Sequence, residues 1–379
     1  MKMIQLGKYI SEYSERNKSG EDLPVYSVTN SEGFCKDYFS KDVASQDRTT
    51  YRVVPRGCFA YNPSRINVGS VDWQHCEDRV IVSPLYVVFK VSDSLDQQYL
   101  YYYLKSDKCL YFIKQLASGS VRDNLRFSAL REFLIPDISL EEQKQVVKIL
   151  DRVSDLISEQ KFQLTKLDEL VKSRFIELFG TTGKPVPLTD YVWFQEGPGV
   201  RSVDFTDDGT ILLTGSNIND NAISFGHKSD RHISNELASG KYAHFMCEKD
   251  DILVVSSAID PDKFDKKVVV VDVDNKYCLN TGIIRFKPNK QYLTLGYFRE
   301  FLKTDYFKHQ VSNEMRGIAQ MHFGPSHLKQ MTILLPDSIE SLIEFEKFVQ
   351  QTDKSKLAVK QSLEKLETLK KSLMQQYFG

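Results

Sequence analysis

The chain has 379 residues, 41% of them apolar and 27% charged, with 50 basic against 51 acidic side chains. This length supports two or three domains with real cores, and the composition excludes a disordered chain. A formal net charge of -1 and a pI near 6.7 also exclude a protein that holds nucleic acid tightly by bulk positive charge alone.

No apolar run at the N-terminus reaches signal-peptide length and the longest runs are strand-sized, so a cytoplasmic protein with no membrane association is expected. The cysteines (Cys35, Cys58, Cys76, Cys109, Cys247 and Cys278) are scattered singly, without zinc or disulfide spacing, and are expected to be reduced and mostly buried.

A first module, residues 1–133, opens with IQLGKYI, whose short apolar alternation fits a strand or a helix edge. Strand-like pieces follow at PVYSVT, YRVVPRGCFAYNP and RVIVSPLYVVFKV, separated by turn-forming residues. The stretch QQYLYYYLKSDKCLYFIKQLASG has helical Tyr and Leu spacing. Its tyrosines, Tyr99 to Tyr103, resemble a base-stacking platform, but at that spacing they are read as core packing.

Residues 134–180 then form a Pro-punctuated start and a long charged helix. Val146, Leu150, Val153, Ile157, Leu164, Leu167, Val171 and Leu178 fall on a 3-then-4 ladder, a seam that needs a partner. A second module, residues 181–328, repeats the order of the first in different words. VPLTDYVW parallels IQLGKYI, ILLTGSNI parallels PVYSVTN, and DDILVVSSA stands where RGCFAYNPSR stood.

Residues 329–379 repeat the helix: LTKLDELVKSRFIELFG (Leu164 to Gly180) and LEKLETLKKSLMQQYFG (Leu363 to Gly379) are identical at 8 of 17 positions without a gap. Each helix of about forty residues would be roughly 60 Å long, far beyond the usual globular length. A single Leu-rich helix is most often an oligomerisation element. Two copies, each closing a module of similar size, instead favour pairing within one chain.

Catalytic motifs are missing. The nearest Gly-rich stretch, FGTTG at Phe179, follows a helix rather than a strand, and GTTGKP lacks the spacing of a phosphate loop. Asn62-Pro63 begins like an amino-methyltransferase motif but continues Ser64-Arg65, without the aromatic that stacks on a flipped base. Pro136-Asp137 with Glu142-Gln143-Lys144, and Pro261-Asp262 with Asp265-Lys266-Lys267, imitate a nuclease pattern. The first is better explained as a helix start, and the second is too compact for separate strands. No catalytic residue, metal site or cofactor is expected.

YNPSRINVGS (Tyr61 to Ser70) with VSPLYVVF, then ILLTGSNI and RGIAQMHFGPSHLKQMTILLP, and the two Pro-Asp-started helices ending in Phe-Gly carry a resemblance over essentially the whole chain. In this order and twice over they resemble the specificity subunit of a type I restriction-modification enzyme. The resemblance implies an α/β (α+β) fold: two repeated target recognition domains separated by two long antiparallel coiled-coil helices, with pseudo-two-fold symmetry. It implies that each domain reads one half of a bipartite, asymmetric site on double-stranded DNA while the helices set the spacer. It further implies that the helices dock two modification subunits, which methylate adenine with S-adenosylmethionine, and that motor-nuclease subunits join for restriction.

Base readers are sought among polar side chains on loops beside glycine, because Arg pairs bidentately with guanine and Asn or Gln with adenine. In the first module these are Asn62, Arg65, Asn67, Arg122, Asn124 and Arg126; in the second, Ser216, Asn217, Arg316, Gln320 and His322. Loop capping is the alternative for each, above all for Asn62 and Asn217, since a turn Asn often bonds its own backbone. Helix pairing is assigned to Val153, Ile157, Leu164, Leu167 and Val171 against Leu363, Leu366 and Leu373. The rival reading is a non-catalytic coiled-coil adaptor that binds proteins.

Overall fold

Strand alternation decides how the first sheet is used. Phe59 and Tyr61 point to one face and pack with Phe89 against helices, while Ala60 and Val88 point to the other and meet Val28, Val54, Val80 and Val82. A sheet apolar on both faces must be covered twice, and here it is. These positions come from a computed structural model describing residues 2–36, 47–117, 124–180, 183–226, 228–259, 261–313 and 321–379. The chain divides into two units, Met1–Phe162 with Lys360–Gly379, and Gln163–Val359.

In the first unit an antiparallel sheet has the order Ile10–Glu12, Val87–Val91, Phe59–Tyr61, Val71–Trp73. In the second, the order Val192–Glu196, Ile283–Pro288, Ile252–Val255, Val268–Val270 repeats it. Met3–Gln5 pairs with Leu134–Pro136 in one unit and Lys184–Pro187 with Thr332–Leu335 in the other. A parallel contact also recurs: Val25 bridges to Ile81, and Thr210–Leu213 pairs with Tyr277–Leu279. The opening IQLGKYI is thus two short strands around a 3-10 turn, Leu6–Lys8.

The Tyr-rich stretch forms two helices rather than one, Gln97–Leu104 and Asp107–Ala117. The break has a local cause. Ser106 Oγ donates to Tyr103 O at 2.7 Å and accepts from Cys109 N, ending one helix and starting the next. Thr304 does the same between Leu295–Phe301 and Asp305–Asn313, donating to Phe301 O at 2.6 Å and accepting from Phe307 N. Asp96 and Thr294 cap the leading helices. Tyr99, Tyr102 and Tyr103 are buried in the core, which leaves them no base to stack on.

Two helices of 40 residues, Leu140–Phe179 and Ile339–Phe378, follow the modules. Ser139 and Glu142 cap the first reciprocally, Ser139 N to Glu142 Oε2 at 2.8 Å and Glu142 N to Ser139 Oγ at 3.3 Å. Each unit holds a piece of both helices, running antiparallel. In the first unit Lys161 meets Glu367 at 3.2 Å, while Val146 and Leu150 share a core with Phe378. In the second, Asp168 meets Lys356 at 2.6 Å and Arg174 pairs with Glu344.

Among the assigned seam residues, Val153, Ile157 and Val171 are buried. Leu164, Leu167, Leu363, Leu366 and Leu373 are half-buried, and Leu373 packs against the first unit's core.

Candidate nucleic-acid interface

Residues 62–70 leave the middle strand of the first sheet as a closed loop. Asn62 O accepts from Arg65 N and Ile66 N, buried Ile66 anchors the turn, and Gly69 closes it at φ 89°, a left-handed conformation that favours glycine. Asn62 Oδ1 accepts from Ser64 N at 3.1 Å and Ser64 Oγ at 2.9 Å, so Asn62 caps its own turn. Arg65 is exposed and Asn67 half-buried.

The second cluster of candidates, sixty residues on, returns to the same place. Leu125 N donates to Pro63 O at 3.1 Å and Tyr61 OH donates to Leu125 O at 3.2 Å, which sets exposed Asn124 and Arg126 beside the loop. Arg122 lies outside the described residues.

The second unit repeats this return. Ser257–Ile259, which follows its middle strand, pairs with Met321–His322, and Phe323 N donates to Ser256 O at 2.9 Å. The main chain of His322 is therefore opposite Ser257; its side chain, and the whole of Arg316 and Gln320, lie outside the described residues. Ser216 is exposed on a turn, within hydrogen-bond reach of Thr214 at 2.8 Å and Ser229 at 3.2 Å.

Asn217 is a correction. It is fully buried, accepts from Thr214 N at 2.9 Å, and donates to Ser224 O at 3.2 Å and Asp230 Oδ1 at 2.8 Å. Every polar atom of its side chain is used in holding the loop, which leaves nothing to present to a base.

Two lysines were not anticipated from sequence. Lys267 Nζ donates to Ile218 O at 2.9 Å and Asn219 Oδ1 at 2.6 Å, tying the turn after Thr214 to the start of a strand. Lys105 Nζ donates to Asn30 O at 3.0 Å, tying a hairpin tip to the end of a helix. Burial lowers the pKa of both. The available signal was a lysine placed against an apolar run, before Val268 in one case and after Leu104 in the other.

The carboxylates of the nuclease-like patterns have structural partners. Asp137 pairs with Lys2 at 2.8 Å, Glu142 is a helix cap, and Asp265 meets Lys308 at 2.5 Å; the side chain of Asp262 lies outside the described residues. Among the described residues no group of three or more His, Cys, Asp or Glu is placed to hold a metal ion, and no helix is long and apolar enough to cross a membrane. Large apolar side chains stand exposed on the long helices: Ile149, Phe162 and Leu369 in the first unit, Leu170, Ile176 and Ile343 in the second.

A scan against family profiles matches residues 5–167 to the type I restriction modification DNA specificity domain. Those residues belong to that family. They contain the first unit's sheet, its helix pair and the loop with Asn62 and Arg65.

Beyond the specificity domain, the chain is 25% identical over 297 residues to the specificity subunit of the type I restriction enzyme MjaVIII from Methanocaldococcus jannaschii, covering 69% of this chain and 68% of that one. It is 33% identical over 87 residues to the MjaIX specificity subunit of the same organism, a match spanning 23% of this chain and 19% of that one. Its fold is similar to the crystal structure of the type I restriction-modification S subunit from M. genitalium, with a TM-score of 0.55 at 16% identity, covering 100% of this chain and 96% of that one.

Proposed function

We propose that this chain is the DNA-recognition subunit of a type I restriction-modification complex, working in the cytoplasm, in which each unit reads one half of a bipartite, asymmetric site. Adenine methylation belongs to two modification subunits and cleavage to motor-nuclease subunits; the chain itself recognises and does not catalyse. One observation carries this reading. A single scaffold occurs twice, with the same central strand order and with helix caps at matching places, yet the segments that meet beyond its middle strand differ in sequence: Asn62 to Ser70 with Asn124 and Arg126 in one unit, Ser256 to Ile259 with Met321 and His322 in the other.

Two unlike readers on a repeated scaffold suit two unlike half-sites. A net charge of -1 fits a subunit whose partners supply much of the phosphate clamp. The long helices set the length of the unread spacer, and their exposed Ile149, Phe162, Leu170 and Ile176 are where the modification subunits dock.

The test is to express the chain with the methyltransferase encoded beside it and map adenine methylation across the host genome. The expected result is one two-part sequence with a fixed spacer. Inserting four residues between Lys161 and Leu164 adds about one turn, roughly 6 Å, and should lengthen that spacer by one or two base pairs while keeping both halves. Inserting two residues turns the following seam by about 200° and should abolish recognition. An unchanged spacer after the four-residue insertion would remove the ruler role. Methylation without sequence preference would remove the reading altogether.

A further inference from the structure

The loops already described leave the exposed polar turn at Asn30 to Glu32 in the first unit without a role. Ser27–Thr29 and Gly33–Cys35 form a hairpin whose tip presents Asn30, Ser31 and Glu32 to solvent. These three side chains make no hydrogen bond or ion pair among the described residues, which is unusual only because of how firmly their backbone is held. Thr29 Oγ1 accepts from Glu32 N at 3.0 Å, and Lys105 Nζ donates to Asn30 O at 3.0 Å. Buried Asp72 accepts from Phe34 N at 3.0 Å, and Ser70 Oγ donates to Val28 O. Gly33, at φ 64°, lies so close to Asp72 that a Cβ would sit 1.9 Å from its Oδ2.

An isolated two-stranded hairpin is marginal in water, and its tip normally frays. Here a buried carboxylate, a hydroxyl and a half-buried lysine hold the tip while its side chains stay unpaired. That is the arrangement of a recognition element, because ordering the backbone beforehand removes an entropic cost that binding would otherwise carry.

The second unit supplies an independent counterpart. Its turn after Thr214 follows the strand that pairs in parallel with Tyr277–Leu279, as the hairpin in the first unit follows the parallel bridge from Val25 to Ile81. That turn is also clasped by a lysine, Lys267, through Ile218 O at 2.9 Å and Asn219 Oδ1 at 2.6 Å. The two lysines come from different elements, one ending a helix and the other preceding a strand. The same mechanical solution has been reached from two directions.

The tip also adjoins the loop of candidate readers. Ser70 ends that loop, and Lys105 runs past Gly69, where a Cβ would lie 3.7 Å from its Cδ.

We infer that Asn30, Ser31 and Glu32 form a base-reading segment of the first unit, matched by the Ser216 turn of the second, and that Lys105 and Lys267 are positioning residues for these segments. This rests on the DNA-recognition reading above. The chemistry is specific: the Asn30 amide suits adenine N6 and N7, and the Glu32 carboxylate accepts from cytosine N4 but repels phosphate, so this tip serves an edge of the groove rather than the backbone.

The experiment uses the full chain complexed with the methyltransferase encoded beside it. Methylation rates are measured on duplexes carrying every single-base change in the wild-type site. Asn30→Ala and Glu32→Ala, both exposed changes, should each lose about tenfold of discrimination at one or two adjacent positions of one half-site, with the other half unaltered. Lys105→Met should loosen those same positions, Lys105→Arg should restore them, and Lys267→Met should loosen positions in the opposite half.

Unchanged preference in the Asn30 and Glu32 variants would overturn the inference, whatever Lys105→Met does to folding. Equal weakening on every duplex would overturn it too, since it would mark a phosphate contact. Absence of sequence preference in the wild-type complex is a different result, and it would fell the DNA-recognition reading itself.

Discussion

The two places where a module meets the long helices use one apolar seat and two different polar layers. In the first unit Phe378 fills the seat, its ring 5.1 Å from Tyr99 and 6.1 Å from Tyr103. In the second Phe179 fills it, 4.8 Å from Tyr297 and 5.5 Å from Phe345. Beside the first seat, Asp151 accepts from Tyr102 OH at 2.6 Å and Gln98 Nε2 at 3.3 Å, with Lys370 over the Tyr102 ring at 5.7 Å. Beside the second, Glu300 pairs with Arg299 and Lys303, both at 3.0 Å, and Arg299 reaches Asp353 at 2.8 Å.

An apolar seat accepts either phenylalanine. A polar layer of this kind is satisfied only by its own partners, because a mismatched segment would leave a charge or a hydroxyl buried and alone. The seats therefore contribute packing without selecting a partner, and the layers decide which helix segment packs on which module.

The sharpest way to break this comparison is to empty the seats. Phe179→Ala and Phe378→Ala should each cost about 3 to 5 kcal/mol, the usual range for a buried phenylalanine. The chain has two tryptophans, Trp73 in the first unit and Trp193 in the second, so fluorescence reads each unit once the other tryptophan is changed to Phe. Phe378→Ala should lower the urea midpoint seen by Trp73, and Phe179→Ala that seen by Trp193. If either change moves both midpoints equally, the units do not unfold separately and the seats are not two copies of one device.

The second layer should be the more fragile. Glu300→Gln leaves Arg299 and Lys303 short of a buried partner and should cost the second unit about 3 kcal/mol. It should also change the response to pH. Burial opposes the Glu300 charge, but attraction from Lys303 and Arg299 outweighs it and holds the carboxyl below the usual glutamate range of 4.5. Its contribution is thus complete above that value and is lost as pH falls through the lower folded value.

Lys370 gives a slope of the same sign in the alkaline range, for a different reason: here the fold disfavours the charged form. Burial, reinforced by Lys161, lowers its pKa below 10.5 against the pull of Asp151, so the folded state releases this proton first. The first unit should therefore gain stability as pH rises through the window beneath 10.5. Urea midpoints for Trp193 in acid and for Trp73 in alkali check both signs. Glu300→Gln should flatten the acid slope and Lys370→Met the alkaline one.

Much of this architecture is legible in the sequence because it repeats. The ladder from Val146, the repeat of Leu164 to Gly180 in Leu363 to Gly379, the Phe-Gly ends and the matching order of strands need only periodicity and self-comparison. The break at Ser106 is harder: one hydroxyl caps inside a run whose Tyr and Leu spacing is continuous. Asn217 looks like an outward-facing turn residue because nothing local reveals that Asp230 and Ser224 close over it. The hairpin tip at Asn30 reads as ordinary loop. Its rigidity depends on Asp72 and Lys105, which lie far along the chain and meet it only after folding.

The smallest effect should come from the first layer, and it separates a hydrogen-bonded layer from an ionic one. Tyr102→Phe removes one donor to Asp151, yet the carboxylate keeps Gln98 at 3.3 Å and the nearby charge of Lys370, so the loss should be about 1 kcal/mol. Because the lost bond has a neutral donor, raising salt should change the Trp73 midpoint of this variant and of the wild type in parallel. Glu300→Gln removes an ionic attraction that burial shields only in part, because Asp353 at its rim is partly exposed, so its gap from wild type at the Trp193 midpoint should narrow modestly with salt. If Tyr102→Phe costs as much as Glu300→Gln and its gap closes with salt in the same way, then Asp151 and Lys370 act as an ion pair oriented by Tyr102. The two layers would in that case be one electrostatic lock written in different residues.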